Sequence, residues 1–184
     1  MDEINIAENK IKVYTLLKSI DREGIDELIE WLNSTDYFTA PASSKYHLNV
    51  KGGLVAHSLS VYDTLKYLNL KYKLFEEDSL IVMGLLHDLC KVGYYKENVL
   101  KSGKVSEAKP YVVEDIFPVG HGEKSVIMIS KFLDLTDEEA VAIRWHMGLY
   151  DRAFNQYENN VKAKYPGALL LMFADYLSTL YGEN

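Results

Sequence analysis

Four of the five histidines fall in the order His57, His87, His121 and His146, with Asp88 directly after the second and Asp175 near the end of the chain. Imidazole nitrogens and carboxylate oxygens are the side-chain donors that hold divalent ions such as Mn, Fe, Zn or Ni, and a His-Asp pair sets one of each side by side. The company of these groups matters as much as their types. His87 and Asp88 follow Ile81-Val82-Met83-Gly84-Leu85-Leu86, and Asp175 follows Leu169-Leu170-Leu171-Met172-Phe173-Ala174. An unpaired carboxylate buried among such residues costs several kcal/mol or takes up a proton, and a bound cation resolves that cost. A lone histidine on a helix is usually a hydrogen-bonded structural residue. Four of them with two aspartates in apolar runs point instead to a metal centre.

Helices must position these donors. Apolar residues recur at spacings of three and four, and the four prolines sit outside the periodic runs, so the expected fold class is all-α. Ile11, Val13, Tyr14, Leu16 and Leu17 predict a first amphipathic helix ending near Ile20, and Ile25, Leu28, Ile29 and Leu32 a second, so residues 1–34 read as scaffold. Pro41, Ser43, Ser44 and Gly52-Gly53 break the pattern over residues 35–52, which predicts a surface loop feeding a third helix from Leu54 to about Tyr72. His57 lies at the start of that helix. The fourth helix begins near Asp78 and runs into the His-Asp pair. Over residues 92–118, Tyr94-Tyr95, the turn Lys101-Ser102-Gly103-Lys104 and Tyr111-Val112-Val113 predict a short β-hairpin or an irregular flap. His121, between Gly120 and Gly122, precedes a helix through Val126, Ile129 and Phe132. Thr136 and Glu139 have capping-box spacing for a helix through Trp145, and Pro166 opens a final helix through Leu169, Leu170, Phe173, Leu177 and Leu180.

Composition bounds the rest. A chain of 184 residues, 48% hydrophobic, suits one domain that encloses a core and a cleft without disulfides. The single cysteine, Cys90, excludes an internal disulfide framework. A net charge of −7 provides no overall basic field to recruit long nucleic acid or an anionic membrane, so any phosphate affinity must be local. The start Met1-Asp2-Glu3-Ile4-Asn5 lacks the features of a signal peptide, and no apolar run approaches the roughly 20 residues that cross a bilayer. A cytoplasmic protein without a membrane partner is the expectation.

The order His57, His87-Asp88, Asp175 within helices resembles the HD-domain metal-dependent phosphohydrolases over residues 40–181. The resemblance implies a single helical bundle in which His57, His87, Asp88 and Asp175 ligate one metal and Asp88 bridges to a second. His121 and His146 match, in order and approximate spacing, the two additional histidines of the family's binuclear members. Two divalent ions are therefore expected, drawn from Mn, Fe, Ni, Zn or Mg. Locally, Tyr46-His47, Gly52-Gly53-Leu54, His57-Ser58-Leu59, His87-Asp88-Leu89-Cys90-Lys91 and the run from Ala168 to Asp175 look like the HD domain of bacterial 3′-to-5′ exoribonucleases. The chain leaves no room for the OB-fold that accompanies that domain there, which counts against processive RNA degradation. The Gly-Tyr-Pro signature of cyclic-di-GMP phosphodiesterases does not follow His146-Met147-Gly148-Leu149-Tyr150.

The implied reaction is hydrolysis of a phosphoester or phosphoanhydride in a nucleotide or short oligonucleotide. Asp88 is the natural metal bridge or proton acceptor. Lys91 resembles the family's lysine after the His-Asp pair and is the candidate point charge for a substrate phosphate, against the ordinary case of a solvated helix-end lysine. His47 lies in a loop that the resemblance places at the cleft mouth. It is a candidate phosphate contact or proton donor, against a loop histidine bonded to backbone. Arg144 is a candidate bidentate phosphate clamp, with surface ion pairing as its alternative. Tyr94, Tyr95, Tyr111, Tyr150 and Phe154 offer faces for a nucleobase, or simply pack. Cys90 reads as a small hydrophobe at a helix end. Two other functions stay open: a 3′-to-5′ exonuclease on short single-stranded RNA or DNA, and a catalytically weak nucleotide-binding or partner-binding module.

Overall fold

The computed structural model describes residues 4–182. In chain order they form α1 (Ile6–Lys18), α2 (Ile25–Ser34), α3 (Gly53–Tyr72), α4 (Glu77–Leu86), strands β1 (Tyr95–Glu97) and β2 (Tyr111–Val113), then α5 (His121–Ile129), α6 (Asp137–Trp145), α7 (Phe154–Lys164) and α8 (Ala168–Leu177). The fold is all-α with one small hairpin. Helix α3 is the hub, packed by α1, α4 and α8, while α6 joins α5 to α8 and α4. Leu28, Leu32, Leu54, Leu65, Ile81, Met83, Leu85, Leu86, Ile143 and Leu171 are fully buried in one continuous core, each contributing roughly 1.5–3 kcal/mol by leaving water.

Local chemistry sets the helix ends. Asn5 starts α1 by accepting the Glu8 N–H, so the helix begins before its first strongly apolar stretch. At α6 the capping box is complete: Thr136 Oγ1 accepts the Glu139 N–H at 3.2 Å, and Glu139 Oε2 accepts the Thr136 N–H at 3.0 Å. The same carboxylate takes Arg22 in two parallel hydrogen bonds of 2.7 and 2.9 Å, tying the N-terminal pair of helices to α6. Burial opposes the charge on Glu139, but Arg22 and the capping contacts hold its carboxyl below the ordinary value.

Two glycines allow the close approaches that bring site residues together. A Cβ on Gly84 would lie 2.6 Å from Tyr62 Cα, and one on Gly122 would lie 2.2 Å from the Arg144 carbonyl oxygen. Gly84 precedes His87 by one turn, and Gly122 follows His121 directly.

The structure departs from the periodicity reading in three places. The periodicity does not give helix α7, because only Phe154 and Val161 of its eleven residues are buried and most of the others are polar. Helix α5 stops at Ile129, and Phe132 lies in the following turn, against Trp31. In α8 the buried stripe is Ala168, Leu170, Leu171 and Ala174, so Phe173, Leu177 and the later Leu180 face outward. The region over 92–118 is a hairpin, with β1 antiparallel to β2 in the register Tyr95↔Val113, Lys96↔Val112 and Glu97↔Tyr111. Its turn is pinned by Gly103 at φ +80°, which a β-carbon would strain, and by the Leu100 N–H donating to the Lys104 carbonyl at 2.8 Å. Among the described residues no helix is long and apolar enough to cross a membrane.

Gly84→Ala tests the close packing of α3 on α4. Overpacking there should destabilise the protein by about 1–3 kcal/mol, despite the roughly 1 kcal/mol by which alanine favours a helix interior. The urea midpoint should fall, and an unchanged or raised midpoint would show that the helices have room to spare.

Candidate metal centre

The candidate ligands lie near the ends of helices. His57 sits in the second turn of α3, His87 caps the C-terminus of α4, and Asp88 leads into a single tight turn, Leu89–Lys91. His121 opens α5, His146 caps α6, and Asp175 lies in the last turn of α8. His57, His87, Asp88 and His146 are 1%, 0%, 3% and 0% exposed, so water does not stabilise charge on any of them.

The donor atoms converge. His57 Nε2 and His87 Nε2 are 3.3 Å apart, and each faces Asp88 Oδ2, at 3.4 and 3.5 Å. Asp175 Oδ1 lies 3.1 Å from His57 Nε2. The other oxygen of Asp88, Oδ1, meets His121 Nε2 at 2.7 Å and His146 Nε2 at 3.5 Å. Lys91 Nζ reaches Asp88 Oδ2 at 2.6 Å. One carboxylate thus stands between two pairs of imidazoles.

The ring orientations come from the helix ends. His87 Nδ1 lies 3.0 Å from the Gly84 carbonyl oxygen, and His146 Nδ1 lies 2.6 Å from that of Ile143. Each ring donates Nδ1–H to a carbonyl three residues back, one that the helix terminus leaves without an intrahelical partner. That fixes the tautomer and presents the Nε2 lone pair to the site, the arrangement that orients metal-binding histidines.

These residues fit a divalent cation. Donors that bind one ion at about 2.0–2.2 Å stand no more than about 4.4 Å apart, and the triangle His57, His87 and Asp88 has edges of 3.3, 3.4 and 3.5 Å. His146 Nε2 is buried without a hydrogen-bond partner, a costly state for a polar atom unless something binds it. The groups His57-His87-Asp88, His87-His146-Asp175 and Asp88-Cys90-His121 each bring three donor atoms within 4.8 Å of one another.

Electrostatics follow from the burial. Burial opposes the Asp88 charge, but Lys91 and the surrounding imidazoles hold its carboxyl well below the usual range. Asp175 is likewise held low against burial, chiefly by His57. Burial opposes a charged His121 ring as well, yet the neighbouring Cys90 sulfur and the Asp88 carboxylate push its pKa up to about 9. Lys91 is buried and still held above the ordinary lysine value, because the Asp88 carboxylate outweighs the loss of solvent.

The remaining candidates are placed unequally. The ring of His47 lies 5.2 Å from that of His57, centroid to centroid. Leu48, at φ +42°, turns the loop back, and the Ser43 hydroxyl donates to the His47 carbonyl at 2.7 Å. The Arg144 guanidinium is shared between Glu123 and Asp151, with its Asp151 contact at 2.6 Å, and covers the Trp145 ring. Tyr95 is half-buried, and burial first, then Asp88, pushes its phenol up to about 12 against the opposing effect of Lys91. Tyr150 is exposed and stacked on Tyr176. Phe154 is buried against Trp145 and offers no face to a nucleobase.

Contacts that sequence reasoning missed hold the flap. Lys124 Nζ pairs with Asp115 at 2.8 Å and sits 5.0 Å over the Tyr94 ring. The Tyr111 N–H reaches the Ser44 carbonyl at 3.4 Å, joining the hairpin to the His47 loop. Cys90, read as a small hydrophobe, has its sulfur 3.4 Å from His121 Nδ1.

A model of the HD domain matches residues 54–180 of the chain, which includes His57, His87, Asp88, His121, His146 and Asp175. No curated protein and no solved structure matches it.

The raised pKa of His121 has a measurable sign. In the metal-free protein its contribution to stability is fully present below pH 6.5 and is lost as pH rises through about 9. Metal requires the neutral ring, so metal affinity should rise over the same interval and metal uptake should release a proton. Calorimetric titration in two buffers of different ionisation enthalpy counts that proton. An equal count in His121→Ala would place His121 outside the metal's reach.

Proposed function

The chain belongs to the HD-domain family, within the metal-dependent phosphohydrolase superfamily, and from that premise we propose that it cleaves a phosphoester or phosphoanhydride of a nucleotide or short oligonucleotide. The observation that carries this reading is the position of Asp88, with one oxygen toward His57 and His87 and the other toward His121 and His146. Such an arrangement supports two divalent ions, the first on His57, His87, Asp88 and Asp175, the second on Asp88, His121 and His146. Divalent ions so held lower the pKa of water toward about 7 and polarise a phosphoryl oxygen.

The chain's own residues do the rest. Asp88 keeps its negative charge despite burial and would serve as metal bridge or as proton acceptor. Lys91 keeps its positive charge beside Asp88 and supplies a point charge for a substrate phosphate. His47, adjacent to His57, contacts the phosphate or protonates the leaving group. Arg144 would have to leave Glu123 and Asp151 to clamp phosphate, so it ranks behind Lys91 and His47. Tyr94, Tyr95 and Tyr111 in the hairpin give a base somewhere to stack. With a net charge of −7 long polyanions are not drawn in from a distance, which favours a small substrate.

A panel of nucleotides, cyclic nucleotides and short RNAs with Mn²⁺ tests the proposal. Asp88→Ala should abolish hydrolysis while keeping helix content. Lys91→Ala should lower kcat/KM about tenfold or more, equivalent to about 1.4 kcal/mol of transition-state stabilisation, without loss of metal. If metal-replete protein cleaves nothing in the panel, a nucleotide-binding module replaces the enzyme reading.

The number of ions has its own test. Replacing both His121 and His146 with Ala should remove one metal per chain by elemental analysis. A metal-saturated wild type holding only one ion would rule out the binuclear arrangement.

A further inference from the structure

The candidate ligands are not held equally. The rings of His87 and His146 are each fixed by a carbonyl three residues back, but His121 opens α5 and has no preceding helical turn to hold it. Its Nε2 meets Asp88 Oδ1 at 2.7 Å, and its side chain is 30% exposed where that of His146 is 0%. The place of this ring is therefore set by where the first turn of α5 lies against the bundle.

Arg144 ties that turn to the end of α6. Glu123 follows His121 by two residues and Arg144 precedes His146 by two. One amino group of the guanidinium pairs with Glu123 Oε1, and the other reaches Asp151 Oδ2 at 2.6 Å, in the turn beyond His146. A single planar cation thus fixes two carboxylates, one on each side of the α5–α6 contact. Its guanidinium carbon lies 3.8 Å over the Trp145 ring, which holds the fork in place. Alongside it the backbones touch, since a Cβ on Gly122 would lie 2.2 Å from the Arg144 carbonyl oxygen. The rings of His121 and His146 flank this point of close approach, with centroids 5.2 Å apart.

From these contacts we infer that Arg144 is a positioning residue for the metal position on the Asp88 Oδ1 side: by joining Glu123 to Asp151 it holds His121 at the separation from His146 that one ion requires. The inference rests on the binuclear reading above and deepens it. Ligand geometry has to be kept within about 0.5 Å, and the first turn of α5 follows the hairpin segment rather than another helix, so a tie to α6 supplies the constraint. Stability is a poor alternative reason for the clamp, because ion pairs that are partly exposed add little to folding, and the three side chains are 19%, 35% and 25% exposed. With both amino groups on carboxylates, the fork is occupied and does not serve a substrate phosphate. The role is confined to one position, since His57, His87 and Asp175 come from α3, α4 and α8, which Arg144 does not tie.

Calorimetric titration of Mn²⁺ or Zn²⁺ into the metal-free full chain tests this without reference to activity. The wild type should take up two ions. Arg144→Met should cost one of them about tenfold or more in affinity and leave the other, and the helix content, unchanged. Arg144→Lys keeps the charge without the planar fork and should fall between the two. Glu123→Gln removes only the α5 arm of the clamp and should weaken the same ion, which gives a second reading if Arg144→Met folds poorly. Wild-type affinity for both ions in Arg144→Met and Glu123→Gln would overturn the positioning role, and so would an equal loss at both positions, the mark of a general loosening. A raised KM with both ions in place would also overturn it and make Arg144 a substrate clamp. A wild type that binds one ion or none would instead remove the second metal position itself, and the role of Arg144 with it.

Discussion

Asp88 carries its charge at 3% exposure, and the arrangement of the bundle answers to that fact. A carboxylate out of water must be matched by positive charge and hydrogen bonds, or it gains a proton. Here one oxygen faces Lys91, His57 and His87, and the other faces His121 and His146. These partners come from four different helices and the turn that follows α4. Bringing them to one point requires that those helices end or begin at a common place, which is how the bundle is built. A group so costly to bury, and so fully surrounded by donors suited to cations, makes chemical sense in a metal site more readily than as a strut.

Helix termini do two jobs at this site. The last carbonyls of a helix lack intrahelical donors, and at the ends of both α4 and α6 a histidine ring satisfies one of them through Nδ1. Each ring then presents Nε2 inward in a fixed tautomer. The device therefore serves stability and site geometry with a single hydrogen bond. Gly84 and Gly122 make it effective, because without them the neighbouring backbones would stand further apart and the donor separations near 3.3–3.5 Å would open.

Much of this was legible in the sequence because it rests on local rules. The capping box at Thr136, the apolar run into His87-Asp88 and the turn at Gly103 each follow from residues close together in the chain, and the structure shows them all. What was not legible depends on contacts across long separations. Helix α7 shows only Phe154 and Val161 as buried residues, too sparse a stripe to register among polar neighbours. In α8, an almost wholly apolar run gives no periodicity to say which face is buried, and Phe173 and Leu177 lie outward. The approach of Cys90 to His121 crosses 31 residues and is created by the Ser125 contact, which spacing alone does not reveal. Phe154 stays open between a stacking face and a packing residue in the sequence, because Trp145, which covers it, belongs to the preceding helix.

The surroundings of the site bear on what it admits. The hairpin is tied to α5 through Lys124 and Asp115, and to the His47 loop through Tyr111 and Ser44, so the two segments beside the buried donors are fastened to each other and to the bundle. A substrate that reached Asp88 would meet tyrosine faces on the hairpin and an imidazole on the loop, within a protein of net charge −7. On the reading proposed above, attraction for phosphate would be confined to bound cations and to Lys91. Binding energy concentrated there suits a small substrate whose one phosphate carries much of its recognition. A long polyanion would pay repulsion along the rest of its length, which is the physical reason for preferring a nucleotide or a short oligonucleotide over extended nucleic acid.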